Sequence, residues 1–419
     1  MLQVDIKAKV RRESMNRFFS KIVLLGFLSV YGVALVYTAQ GRGQSGSDFA
    51  TYYITAQALR RGENIYTLSD VRWSALANEY HIERFERPYL YPPLLAGGIA
   101  LLGSLSPRVA LVLWNSLNVL ALTITGVALS QLVRQTWIDP IVFFALTCYV
   151  PNLTSLYAGQ ANHLVLLSVA LYLLFAQQKR PYAAGLGWAA GIALKPIAAP
   201  LGIHLIWRRD TQVIALMVGL IVLIVITVLL AGPQASWDYV QNFWQTTPLS
   251  VGASPVAYPP NQSVFGFFGR LLTAHEYGHS LVNSPALARA FSFGTIGLLL
   301  VGVALLTWPQ TRNWNETFIL ETGLVLITIN LIVPISWYHH LVISIISLVV
   351  AWYTSSTRAA RAALIVAFAL IGVQGAWHAF EGHTLLLSLG TYGLTIVYIV
   401  LALRLIQIRR ASPILKEAA

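Results

Sequence analysis

Apolar stretches long enough to cross a lipid hydrocarbon core recur from residue 22 almost to the end of this 419-residue chain, and that recurrence leaves few folds open. About 20 apolar residues in a helix span the core, which is roughly 30 Å thick. Runs of that order occupy 22–39, 109–133, 141–157, 164–177, 182–207, 213–231, 286–308, 318–335, 341–353, 362–378 and 385–405, with a shorter one at 90–105. Lipid offers no hydrogen bonds to a bare backbone, so segments of this length must be helical. Only 11% of the residues are charged, against about 25% in globular domains, too few to clothe a water-facing surface. The expected fold is an all-α integral membrane protein of about 11–13 transmembrane helices with exterior amphipathic helices. Twelve Trp and nineteen Tyr suit the two membrane interfaces, where an apolar ring and a polar tip both find partners.

Charge orients the bundle. The formal net charge of +12 does not point to nucleic acid, because the basic residues sit in short clusters between apolar runs. Such clusters mark cytoplasmic connections. Arg134, Lys179–Arg180, Arg208–Arg209, Arg312, Arg358 with Arg361, and Arg409–Arg410 all fall inside if 90–105 is re-entrant and 182–207 is a hairpin broken at Lys195–Pro196. A straight span through 182–207 puts Lys179–Arg180 outside instead. The basic residues Lys7 to Lys21 before the first run resemble a signal sequence, but no small-x-small cleavage site follows. The expected plan is a cytoplasmic tail (1–21), a multi-pass domain (22–405) and a second cytoplasmic tail (406–419) in the plasma membrane. Both termini are inside, and two polar segments, about 40–90 and 232–285, face outside with the 336–340 connection. The single Cys148 allows no internal disulfide.

Several polar residues stand out against this background. Asp48 opens a segment with Phe49, Tyr52, Tyr53, Ala56 and Leu59 at helical spacing, closed by Gly62. That reads as an amphipathic helix on the membrane, with Asp48 either its capping carboxylate or a general base at the lipid–water boundary. Lys195 lies in an otherwise apolar stretch. A charged Lys at mid-membrane costs about 2.5–3.5 kcal/mol on insertion scales, so it snorkels to an interface or faces a polar cavity, where a lipid phosphate is the natural anion. Trp337-Tyr338-His339-His340 joins ordinary belt residues to two adjacent imidazoles. Adjacent helical residues diverge by about 100°, a poor chelate but a workable pair of donors to a phosphate or sugar. Asn261-Gln262-Ser263 with Arg270, and Gln160 with Asn162 after Gly159, are polar groupings common to many loops. Tyr-Pro-Pro at Tyr91 and again at Tyr258 reads as a loop-to-helix junction.

One further match points elsewhere. His275-Glu276-Tyr277-Gly278-His279 has the H-E-x-x-H form in which two histidines on one helical face bind zinc and the glutamate activates water. A membrane zinc metallohydrolase is therefore an alternative, although Gly278 weakens a helix there. A glycolipid transporter fits the hydropathy and Lys195 but leaves the exterior segments unexplained.

Taken in order, Ser47-Asp48 with Tyr52-Tyr53, Gly62 and Tyr66, Tyr91-Pro92-Pro93, Gly159-Gln160 with Asn162, Leu194-Lys195-Pro196, Asn261-Gln262-Ser263 with Arg270, and Trp337 with His339-His340 resemble glycosyltransferase family 87. These are membrane mannosyl- and arabinosyltransferases of the GT-C fold. The resemblance implies an inverting transferase moving a sugar, mannose or arabinofuranose, from a polyprenyl phosphate to a lipid-linked or cell-surface glycan acceptor. It implies Asp48 as catalytic base and Lys195, His339 and His340 near the donor phosphate. Tyr52, Tyr91, Gln160, Asn162, Asn261, Gln262, Arg270 and Trp337 would line the sugar and acceptor pocket. The chain carries no Asp-x-Asp element for a metal-bound diphosphate, and a phosphate leaving group needs no metal or other cofactor. The expected partners are the lipid-borne donor, the acceptor and membrane lipids, not nucleic acid.

Overall fold

The computed structural model describes residues 2–40, 46–208, 212–246, 256–308 and 314–411. The linker before Gly46, Arg209, Arg312 and the tail beyond residue 411 lie outside that set. Among the described residues six helices are long and apolar enough to cross a membrane: Phe18–Ala39, Pro107–Arg134, Gln212–Asn242, Pro285–Leu306, Arg358–Phe380 and Leu386–Arg410. A bent pair, Pro140–Cys148 with Val150–Ala158, makes a seventh if it is counted as one span, and four shorter apolar helices complete the set. The protein is an all-α integral membrane protein, with no strand among the described residues.

The first helix, α1 (Leu2–Ala39), buries Phe27 and Tyr31 against α6 (Pro140–Cys148), with Phe27 edge-on to Phe143 at 5.4 Å. The chain bends by 54° between α6 and α7 (Val150–Ala158). Pro151 in the first turn of α7 has no N–H to carry the helix across. At the break the Leu146 carbonyl accepts from the Tyr31 hydroxyl at 2.9 Å and the Asn152 amide at 3.0 Å. A backbone group freed in the bundle is thus satisfied by side chains, as lipid surroundings demand.

The Lys195–Pro196 break is present and reverses the chain. Helix α9 (Pro181–Leu194) stops where Lys195 turns extended, and α10 (Leu201–Trp207) follows a short 3-10 turn. Trp188 Nε1 donates to the Ala198 carbonyl at 3.0 Å, and its ring lies against Gly202. A straight helix would hold Trp188 and Gly202 roughly 21 Å apart, so 182–207 folds back as a hairpin. Both ends therefore come to the end of the bundle where the other arginines collect. There Arg208 pairs with Glu321, Arg409 donates to the Leu305 and Trp308 carbonyls at 2.8 Å, and Arg134 and Arg361 lie over Tyr353 and Trp352.

Two elements differ from the sequence reading. Helix α11 (Gln212–Thr246) does not stop at residue 231 but kinks at Gly232 (φ 85°) and continues into the polar segment. Pro233 then sits in a first turn, where its missing N–H costs nothing. Helix α2 (Ser47–Arg60) exists but does not lie on the membrane surface, since every residue from Phe49 to Ala58 is buried. It is enclosed by α3 (Asp70–Glu79), α4 (Pro93–Ala100) and the start of α5 (Pro107–Arg134), in a second hydrophobic core that includes Tyr53, Trp73, Tyr89, Leu95 and Trp114. Helix α3 is the amphipathic one, burying Trp73, Leu76 and Ala77 beneath an exposed outer face. This cap sits at the N-terminal end of α5, opposite the arginine-bearing end.

Candidate functional site

The site forms where the cap meets the bundle. Two left-handed glycines bring its walls together. Gly46 (φ 77°), the residue before α2, donates its N–H to the Tyr157 carbonyl at 2.8 Å. Gly159 (φ 72°) ends α7, accepts from Trp114 Nε1 at 2.8 Å, and lies so close to α2 that a side chain there would meet Phe49 Cβ at 2.6 Å. An L side chain is disfavoured at both positions by backbone conformation as well as by space. The result sets the first turn of α2 beside Gln160.

Gln160 is the hub. Its Oε1 accepts from the Tyr52 hydroxyl at 2.8 Å and from Lys195 Nζ at 3.3 Å. Lys195 has only protons to give, which fixes the amide orientation and turns Nε2 toward His339 Nε2 at 3.3 Å and the Tyr91 hydroxyl at 3.4 Å. His339 Nε2 is then the acceptor, and its remaining proton sits on Nδ1. Asn162 opens α8 (Asn162–Gln177) and repeats the arrangement: Oδ1 accepts from Lys195 at 2.9 Å while Nδ2 donates to the His339 carbonyl at 2.8 Å. Lys195 is buried, lies over the Tyr91 ring at 5.2 Å, and is held by two neutral amides without an ion pair among the described residues.

Asp48 approaches the same hub from the mouth. It is the second residue of α2, and Gly46 holds the cap position, so its carboxylate is not spent on capping. It is half-buried beside the hub, and its carboxyl feels the charge of Lys195. Burial raises its carboxyl from the ordinary 3.8 to about 6, against the opposing pull of the Lys195 charge. Tyr91, His339 and His340 are likewise half-buried around the opening, above a buried floor of Tyr52, Gln160, Asn162 and Lys195.

His340 contributes differently. Its Nδ1 accepts from the Trp337 backbone N–H at 3.2 Å, so it shapes the turn that presents His339. Trp337 packs edge-on to Tyr258 at 5.4 Å, beside the hub.

Asn261, Gln262 and Arg270 lie apart from the hub, in a fully buried brace. Asn261 donates to Val256 and Pro334 and accepts from the Ser263 and Ser336 N–H groups. Gln262 donates to Pro259 and Leu387 and accepts from Thr391. Arg270, from α12 (Val264–Leu272), spans the Tyr258 and Asn261 carbonyls and Ser388 Oγ at 2.8–3.2 Å. These polar groups meet protein partners, so the brace holds the 256–263 loop against the 334–340 turn. Arg270→Ala should lower the unfolding midpoint of the detergent-solubilised protein, at a cost of about 3–5 kcal/mol for uncovering buried carbonyls and a cavity. Arg270→Lys should not rescue it, because an ammonium lacks the planar fork. An unchanged melt with a weaker acceptor KM would instead assign Arg270 to substrate.

The H-E-x-x-H segment is a loop between α12 and α13 (Pro285–Leu306), not a helix. His275 Nε2 pairs with the Arg270 carbonyl at 2.9 Å and its Nδ1 accepts from the Tyr277 N–H at 3.2 Å. Both ring nitrogens are engaged, and no group of three or more potential metal ligands clusters among the described residues.

Glu86 was not singled out from sequence. Thr51, one turn beyond Asp48, bonds both its N–H and its carbonyl, and its charge acts on the Asp48 carboxyl. In the sequence it is one of several charges in an exposed loop.

Fold and site define a multi-pass membrane protein with a polar, open-mouthed site at one end of its bundle. Residues 89–334, more than half of the chain, match the family model described as Glycosyltransferase family 87, and the chain belongs to that family. It is thus a membrane glycosyltransferase. The match includes Tyr91, Gln160, Asn162, Lys195 and the Asn261–Arg270 brace, while Asp48, Tyr52, His339 and His340 lie outside it. No curated protein and no solved structure matches the chain.

Proposed function

We propose that this protein transfers a sugar, mannose as the leading candidate, from a polyprenyl phosphate to a lipid-linked or cell-surface glycan, with inversion, on the outer face of the plasma membrane. The observation that carries the reading is that a carboxylate with raised affinity for protons lies in the field of a buried ammonium, which the Gln160 and Asn162 amides hold in place. Asp48 takes the proton of the acceptor hydroxyl as its oxygen bonds to the anomeric carbon. The bond from that carbon to the phosphate oxygen breaks, and the phosphate keeps the electron pair. Lys195, held toward the opening by Gln160 and Asn162, meets the growing phosphate charge. A single displacement turns a β-linked donor into an α-glycoside. No metal or other cofactor enters this scheme. The outward orientation rests on the arginine-bearing end lying opposite the site, read with the positive-inside rule.

The test is incubation of the purified protein in detergent with defined polyprenyl phosphate sugars and a native lipid extract, followed by mass spectrometry. The expected outcome is a product heavier by one hexose, formed without added metal and without a sealed membrane. Transfer from nucleotide sugars alone would overturn the donor assignment, and a pentose increment would replace mannose with arabinofuranose.

A further inference from the structure

We infer that Tyr258, Tyr277, Trp337 and Trp377, beside the Asp48–Lys195 site, form a stacking platform for a sugar ring of the acceptor, which makes the acceptor a glycan rather than a bare lipid alcohol. The inference rests on the transferase reading and deepens it.

Tyr258 stands at the centre, with ring centroids 5.5 Å from Tyr277, 5.4 Å from Trp337 and 5.6 Å from Trp377, and Tyr277 and Trp377 are 6.0 Å apart. The four rings come from four separate segments: the 256–260 loop, the 274–284 loop, the Trp337 turn and the 3-10 turn Gln374–Phe380. Belt residues that serve only the membrane interface are spread around a bundle. These converge on one another, and each stays half-buried.

The cluster continues from the catalytic pocket. Trp337 is tied through its backbone N–H to His340, whose neighbour His339 touches Gln160. Glu86 joins the two regions, since its charge acts both on Asp48 and on the Tyr258 phenol, which burial and then Glu86 push up. A ring resting on the platform would therefore have its hydroxyls within the neighbourhood of the base.

The chemistry fits a sugar. The C–H face of a pyranose packs on aromatic faces, while its hydroxyl edge needs hydrogen-bond partners. Among the described residues the Tyr258 hydroxyl and the indole N–H groups of Trp337 and Trp377 make no protein hydrogen bond, and His378 with Glu381, paired at 2.9 Å, adds exposed polar atoms at the rim. A prenyl chain would use the rings and waste these polar tips.

The experiment uses the full chain in detergent, with mannotriose and an arabinofuranose trimer as probes. Saturation-transfer NMR reads direct binding, and transfer kinetics read donor and acceptor KM separately. Trp377→Ala should weaken trisaccharide binding and raise acceptor KM roughly five- to tenfold, with donor KM unchanged, while Trp377→Phe stays within about twofold of wild type. Unchanged trisaccharide binding in folded Trp377→Ala overturns the platform, as does an equal loss in donor and acceptor terms. If Trp377→Ala does not fold, Tyr277→Ala takes its place with the same criteria. Trisaccharide binding that depends on Trp377, in a protein that refuses every polyprenyl phosphate sugar, would retain the platform and remove the donor assignment. The two readings thus fail separately.

Discussion

Asp48→Asn is expected to leave a folded protein whose transfer rate is lower by about 10²–10⁴-fold, the usual worth of a positioned general base. The amide keeps the size of the carboxylate but cannot take a proton. Its effect should fall on kcat, with donor KM little changed. The pH profile supplies an independent check. Burial holds the carboxyl up at about 6, so wild-type transfer should rise through that region as the base ionises, and the residual activity of Asp48→Asn should lose this limb. Stability gives a third readout with a definite sign. A carboxyl whose folded-state pKa lies above its ordinary 3.8 favours the folded state in its protonated form, and that contribution is lost as pH rises from about 4 through about 6. At neutral pH the ionised Asp48 opposes folding, so Asp48→Asn should melt no lower than wild type. A carboxylate used to cap α2 would behave in the opposite way, with a lower melt and normal transfer. Retained turnover would remove Asp48 from the mechanism.

That Asp48, Lys195, Gln160, Asn162 and His339 meet was legible in the sequence only as a set of oddities: polar groups beside apolar runs, a Lys before a Pro, paired imidazoles. Each is expensive in lipid, and expense marks function or a specific partner. The Lys195–Pro196 break was readable because proline cannot continue a helix from the preceding turn, and the arginine clusters predicted that the chain doubles back there. The contacts of Asn261, Gln262 and Arg270 were not readable. Their partners are backbone groups of residues far along the chain, such as Pro334 and Leu387, together with Ser388, and no local pattern announces which remote carbonyl will need a donor. The enclosure of α2 was hidden for a related reason. Helical spacing shows the face that carries Tyr52, but Thr51, Thr55 and Gln57 are buried too, because α3, α4 and the loops around them cover the other side. Glu86 is a loop carboxylate whose importance depends on its tie to Thr51. The aromatic platform is assembled from segments with no sequence relation, and the second Tyr-Pro-Pro was a clue to a junction, not to a surface.

Lys195→Met should cost donor use about 10²–10³-fold in kcat/KM, the range for removing one preorganised stabiliser of developing negative charge. Methionine keeps the unbranched shape of the stem in a buried site, so packing is largely conserved. The loss of the cation leaves Asn162 Oδ1 without a donor, while Gln160 Oε1 still has the Tyr52 hydroxyl. One unsatisfied buried acceptor costs about 1–3 kcal/mol, offset by no longer burying a charge, and the melt should move little. The informative readout is coupling to Asp48. Lys195 pulls the Asp48 carboxyl down against the effect of burial, so removing its charge should carry the acidic limb of the pH profile to higher pH than in wild type. A lysine that merely filled space, or that snorkelled away from the site, would leave that limb where it was. A shifted limb with a weakened donor term identifies one electrostatic unit made of base, amide and cation. Unshifted, with donor kinetics intact, the profile would take the phosphate-binding role from Lys195 and leave the pocket in need of another anion partner.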